Sequence, residues 1–115
     1  MNAKYWQRGE TLDYTPAAAV KNGAVVDLTT RIGIAGSDIA AGEPGQVHVV
    51  GVFEMDKATT VAITMGAAVY YDKANDKITT VASTGTDPVV KNTPAGYAAA
   101  DAAQAATTVL VKLLG

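Results

Sequence analysis

The residues most able to do chemistry in this chain are few and far apart. His48 is the only histidine, so any serine-type nucleophile would need it as its base. Neither Ser37 nor Ser83 stands in the G-x-S-x-G setting of a nucleophile elbow. We therefore predict no catalytic residues and no enzyme. The competing hypothesis, a small hydrolase, would have to use His48 or the pair Asp72 and Asp76.

Two further stretches of the sequence resemble parts of ligand-binding loops, one of a calcium loop and one of a phosphate loop. Asp72 and Asp76 flank a turn, but an EF-hand loop needs glycine where Lys77 stands and a closing glutamate that is absent. The glycine-rich stretch 36–45 lacks the lysine and the helix of a phosphate loop. The chain has no cysteine, which excludes cysteine-ligated zinc and disulfides. The sequence thus predicts neither a metal nor a cofactor.

Composition and charge limit the partners. The 115 residues are 49% hydrophobic and carry a net charge of −2 without a basic patch, so nucleic acid is not expected as a partner. No apolar run approaches the roughly 20 residues of a membrane span, and the first residues lack the apolar stretch of a signal peptide. We expect synthesis in the cytoplasm, an N-terminal arm with the first strand over 1–15, and a single β domain over 16–115.

Short runs with apolar residues two apart recur between glycine, asparagine and proline turns, which is typical of half-buried strands. The pattern predicts an all-β fold, a small barrel or sandwich. In the run 46–50, Val47 and Val49 share one face and His48 the other, and Gly51 is expected to interrupt the alternation. The predicted strands cover 11–15, 24–28, 31–35, 46–54, 60–64, 67–72, 77–82, 95–99 and 107–113, and the hairpin turn lies near residues 74–76.

The chain also repeats itself. Residues 31–50 align with residues 94–113 at an offset of about 63, which matches Gly33 to Gly96 and Asp38 to Asp101, and residues 22–26 resemble 65–69. We therefore predict two related strand–turn–strand halves, with the second half lengthened by the hairpin. Alanine propensity favours a helix over 97–106, whereas the repeat favours strand, turn and strand there; a short helical turn remains the alternative.

The order of several short motifs resembles the capsid decoration, or head cement, proteins of tailed phages and prophages, some of which have carried a mistaken recombinase label. The motifs contain structural glycines and strand residues and run along nearly the whole chain: YWQRGE at 5–10, VKNGAVV at 20–26, RIGIAGSDIAAGEPG at 31–45, GVFEM at 51–55 and MGAAVYYD at 65–72.

The resemblance implies a virion protein that binds the outer surface of the expanded head, stabilises contacts between major capsid subunits and assembles as a homotrimer. Aromatic and arginine side chains are the usual interface anchors, so the capsid-contact candidates are Tyr5, Trp6 and Arg8, although Trp6 could instead cover the end of its own domain. Candidates for the contact between subunits, each of which could equally be core, are Val50, Phe53, Met55, Tyr70 and Tyr71.

A different class of function is also compatible with the sequence, a non-catalytic β module that binds a surface or a carbohydrate. Tyr70, Tyr71 and Tyr97 would then form a platform on which sugar rings stack.

Overall fold

Strands and turns account for the regular structure of the chain. The computed structural model describes residues 1–85 and 89–114; residues 86–88 and 115 belong to the predicted domain but lie outside the described residues. The strands are β1 (Thr11–Tyr14), β2 (Val25–Asp27), β3 (Ile32–Ala35), β4 (Gly45–His48), β5 (Val52–Asp56), β6 (Ala68–Asp72), β7 (Lys77–Thr79), β8 (Ser83–Thr84), β9 (Val90–Lys91), β10 (Thr93–Ala98) and β11 (Thr108–Leu113).

Two antiparallel sheets pack against each other. The first sheet has the order β1-β4-β3-β2, the second β5-β11-β10-β6-β7, and β8 and β9 form a separate pair. Ile32 and Ile34 of the first sheet share one core with Met55, Val69 and other residues of the second. The predicted all-β class is confirmed, and of the two architectures the sandwich describes it.

The internal repeat is confirmed in the hydrogen bonds as well as in the sheets. Strands β1, β2, β3 and β4 of the first half (residues 11–48) correspond to β5, β6, β10 and β11 of the second half (residues 52–113), in the same sheet order. The carboxylate of Asp38 accepts the Asn22 N–H at 2.8 Å, and Asp101 accepts the Met65 N–H at 2.7 Å.

Matching isolated bridges strengthen the same correspondence. Val20 pairs with Ile39 in the first half, and Ile63 pairs with Ala102 in the second. The halves differ chiefly between their second and third strands, where four residues, 28–31, connect β2 to β3 but β7, β8 and β9 stand between β6 and β10.

Two local predictions need correction, and the choice left open for residues 97–106 is decided. The long strand 46–54 is two strands, because the chain bends at residues 50–51, where Gly51 has a φ of 126°. The predicted strand 60–64 is reduced to the single bridge at Ile63, because turns stand on either side of it. Within the part of the chain that is described, residues 97–106 contain no helix, because Ala102 exchanges two backbone hydrogen bonds with Ile63 instead.

One charged side chain is enclosed with the apolar ones. Lys57 follows β5 and is only 1% exposed. Its Nζ donates to the carbonyl oxygens of Ala58 at 2.8 Å, Gln104 at 2.9 Å and Ala106 at 3.3 Å. These bonds tie the end of β5 to the turn before β11 and replace the water that the ammonium loses on burial.

Candidate functional site

The N-terminal arm, residues 1–9, lies ahead of β1 and has no regular secondary structure. Its two aromatic side chains are uncovered: Tyr5 is 83% exposed and Trp6 is 88% exposed. Trp6 therefore does not cover the end of its own domain. Arg8 is also exposed and its Nε lies 3.8 Å from a carboxylate oxygen of Glu10, while the Gln7 side chain donates to the Thr11 carbonyl at 3.3 Å.

The arm leads directly into an open sheet edge. β1 is the first strand of its sheet and pairs with β4 alone, from Thr11 opposite His48 to Tyr14 opposite Gly45. Such an edge presents unpaired backbone groups to which another chain can add a strand. An exposed arm carrying two aromatic rings beside this edge is a suitable docking element.

The five candidates for a contact between subunits are divided by the structure. Val50 is exposed, Phe53 and Tyr70 are half-buried, and Met55 and Tyr71 belong to the core. Met55 and Tyr71 thus take the core role that the sequence left open, because both point to the inner face of the second sheet. The buried position of Tyr71 also removes it from the three-tyrosine sugar platform.

Tyr71 has a specific partner. Its hydroxyl donates to the Asp76 carboxylate at 2.7 Å across the hairpin turn. Burial raises the pKa of the Tyr71 phenol well above its ordinary value, and the hydrogen bond and the negative charge of Asp76 raise that pKa further. The pair therefore fixes the hairpin turn and keeps the phenol neutral.

The outer face of the second sheet carries several exposed apolar side chains beside the charged Glu54 and Lys112. A row of directly paired residues crosses four strands there: Val52 lies opposite Lys112, Lys112 opposite Tyr97, and Tyr97 opposite Ala68. Val52 is 52% exposed and Tyr97 46% exposed. Leu110 and Leu114, which continue this face along β11 and just beyond it, are exposed as well.

Sequence reasoning named Tyr97 on this face, for sugar stacking, but missed Val52, Leu110 and Leu114. The available signal was the run TVLVKLL at 108–114, in which apolar residues occur on both faces of one strand. A strand with one solvated face normally alternates apolar with polar residues. This run therefore indicated that the second face of the strand also carries apolar side chains able to contact another protein.

A cleft of about 440 Å³ separates the first sheet from β5 and β7. His48 lines it on one side, with its ring centroid 5.9 Å from that of Phe53. Asp56 and Lys77 contribute charge, and their side chains lie 3.6 Å apart as a solvent-accessible ion pair. Neither Ser37 nor Ser83 lines the cleft beside His48.

Metal-binding clusters and membrane-spanning helices are two other kinds of functional feature. Among residues 1–85 and 89–114, no group of three or more histidine, aspartate or glutamate side chains is arranged to hold a metal ion. The same residues include no helix long and apolar enough to cross a membrane. What the described surface offers is the exposed arm and the apolar face of the second sheet, both of which are suited to contacts with other proteins.

Comparison with known families agrees with this description. The family model described as phage cement protein matches residues 6–113. The chain belongs to the phage cement protein family. No curated protein and no solved structure matches it significantly. Membership of the cement family supports a structural role on the phage capsid and a location in the virion, and it fits the surfaces described above better than catalysis does.

Proposed function

We propose that this cement protein binds the outer surface of the expanded phage head, as a homotrimer, and stabilises contacts between major capsid subunits. It would be made in the host cytoplasm and join the head after expansion. The family match over residues 6–113 carries the capsid-associated role. The exposed arm supports the more specific statement that Tyr5, Trp6 and Arg8 contact the capsid.

The arm argument rests on the free energy of burying aromatic rings. A tryptophan side chain buries roughly 200 Å² at an interface, which at about 25 cal/mol/Å² corresponds to about 5 kcal/mol before the cost of ordering is subtracted. Trp6 is 88% exposed in the isolated chain, so nearly all of this free energy is still available for binding. The ion pair between Arg8 and Glu10 is exposed and contributes little by comparison.

No chemistry is needed for such a protein to reinforce a shell. A ligand that binds the expanded lattice and not its disrupted form stabilises the lattice by mass action. A homotrimer presents three arms at once, so the second and third contacts form at a high effective concentration. Modest contacts by single arms then give durable attachment.

The test is binding to expanded heads built from the major capsid protein that is encoded with this chain. Purified protein is mixed with heads that lack it, and the bound fraction is measured by co-sedimentation over a range of concentrations. Trp6→Ala should weaken the affinity of each arm by about 2 kcal/mol, or about 30-fold, as is usual for a central aromatic anchor. A deletion of residues 1–9 should weaken it at least as much.

The matched control is Met65→Ala, which removes another large exposed side chain, far from the arm in sequence. It should bind as the unaltered chain does. Circular dichroism should show that Trp6→Ala is folded, since its side chain is exposed. If the arm variants bind normally, the arm is not the contact; if the unaltered chain does not bind expanded heads at all, the proposed function is wrong.

A further inference from the structure

The internal repeat allows the surroundings of equivalent residues to be compared. In the first half, one row of directly paired residues runs across the sheet through Thr11, His48, Ile34 and Val25. Each position corresponds, in strand and register, to one position of the row Val52, Lys112, Tyr97 and Ala68 in the second half.

The two rows differ in what covers them. Ile34 is 5% exposed and belongs to the shared core, against which Val25 also packs. The ring of His48 lies against Phe53 of the second half. The first-half row is therefore covered by the second half of the same chain.

The second-half row contains one lysine, Lys112, between exposed apolar side chains. Val52 and Tyr97 are about half exposed, and Leu110 and Leu114 extend the same face. Exposed apolar side chains that cluster on one face indicate an interaction surface, whereas singly scattered ones do not.

The contact between the halves is of the head-to-tail type. The first half contributes the covered row through Ile34 and Val25, whereas the second half contributes the inner face of its sheet, to which Met55 on the edge strand β5 belongs. Two copies of one motif joined in this way leave one unused surface of each kind. The row that makes no such contact within the chain is that of the second half, which runs from Val52 to Ala68.

The unused receiving strand is β1, the counterpart of β5. Both strands pair with the equivalent neighbour, β1 with β4 and β5 with β11, so Leu12 and Tyr14 occupy the places of Phe53 and Met55. Leu12 is 39% exposed and Tyr14 is half-buried. Tyr14 packs in part against the buried Val26, Val47 and Val49 of its own half, so the receiving strand offers the exposed Leu12 and the uncovered part of Tyr14.

We propose that copies of this chain associate by repeating the contact between their own halves. The outer face of the second half, carrying Val52, Tyr97 and Leu110, packs on β1 of the next copy, against Leu12 and Tyr14. This deepens the self-association part of the proposed function and names its surface. Because the two surfaces are different, the series of contacts ends only when a small ring closes.

Two variants that each spoil one surface test this. Tyr97→Glu places a charge on the outer face, and Leu12→Glu places one on the receiving strand. The mass of each is measured by size-exclusion chromatography with light scattering. Each variant alone should be monomeric, with association at least 100-fold weaker than in the unaltered chain.

An equimolar mixture of the two variants decides the geometry. One intact outer face, on the Leu12→Glu chain, and one intact receiving strand, on the Tyr97→Glu chain, remain in the mixture. It should therefore form a dimer of one copy of each, but no larger ring. A mixture that stays monomeric overturns the head-to-tail contact, as does a Tyr97→Glu chain that still assembles or an unaltered chain that is monomeric.

Two controls keep the result interpretable. Val81→Glu introduces the same charge at another exposed valine and should assemble as the unaltered chain does. Val52→Lys and Leu12→Ala serve as second variants, should either glutamate variant unfold when checked by circular dichroism. The failure of this contact is distinct from failure of the proposed function, because the unaltered chain would still bind expanded heads in co-sedimentation.

Discussion

The buried ammonium of Lys57 gives the sharpest test of what holds the second sheet together. Lys57→Met keeps a long apolar side chain but removes the donors to three carbonyl oxygens at 2.8, 2.9 and 3.3 Å. A carbonyl left unsatisfied away from water costs about 1–3 kcal/mol. These three bonds are only partly buried, and the two short ones count most. The buried charge itself is no longer desolvated, which offsets part of the loss.

We expect a net loss of about 3 kcal/mol in the free energy of unfolding. An entropy of unfolding near 2.1 cal/mol/K per residue gives about 0.24 kcal/mol/K for this chain, so Tm should fall by about 12 °C. Lys57→Ala should lose at least 2 kcal/mol more, because it also opens a cavity in a tightly packed site. Urea denaturation and thermal unfolding, both followed by circular dichroism, measure these losses.

Lys73→Met is the matched control, because it makes the same change at an exposed lysine of the hairpin turn. Its stability should stay within about 0.5 kcal/mol of that of the unaltered chain. If Lys57→Met loses less than about 1 kcal/mol, the reasoning that the three carbonyl contacts stabilise this region is refuted.

Four further substitutions test the repeat and the hairpin by urea denaturation. Gly96→Ala should cost about 3 kcal/mol or more, since φ is +141° and a Cβ would stand 1.9 Å from a carbonyl oxygen of the next strand. The equivalent Gly33→Ala should cost less, because its tight contacts, 3.3 Å to the Val47 side chain and 3.4 Å to the His48 carbonyl oxygen, need only a small shift. Asp101→Ala should lose about 1 kcal/mol by freeing a backbone N–H, and no loss would contradict this. Tyr71→Phe should lose about 1 kcal/mol with the hydrogen bond to Asp76. Because folding raises the Tyr71 pKa, the stabilisation from its neutral phenol is fully present below about pH 10 and falls progressively as the pH rises from there towards the higher pKa of the folded state. The variant should therefore show a shallower alkaline decline, and an unchanged decline would argue against the pair.

The repeat could be predicted from the sequence because it depends on residues whose side chains bind the backbone at a fixed place. Asp38 and Asp101 each accept a backbone N–H at the same place in their halves, so each half needs an aspartate at the same spacing from its strands. The same correspondence decided between helix and strand for residues 97–106, where alanine propensity points the wrong way. Pairing with Ile63 supplies backbone bonds that local propensity does not include.

Strand limits and surfaces were harder to predict. Ile63 lies in an apolar run whose pattern predicts a strand. Turns stand on either side of it, so the run forms only the single bridge between Ile63 and Ala102. Met55 and Tyr71 were predicted as candidates for a contact between subunits, although they lie in the core. The alternation of residues along a strand separates its two faces but does not show which face packs inside the chain. The exposed row through Val52 and Tyr97 depends on the pairing of strands that are distant in the sequence, and the pattern within each strand does not give that pairing.

The added segment between β6 and β10 has an effect on aggregation. It supplies β7, whose Ile78 forms a parallel bridge with Lys57 at the end of β5, so the two outermost strands of the second sheet meet there. Edges that meet one another are poor templates for runaway cross-β growth. The five-stranded sheet is thereby less open to strand addition, whereas β1 remains an edge of the four-stranded sheet.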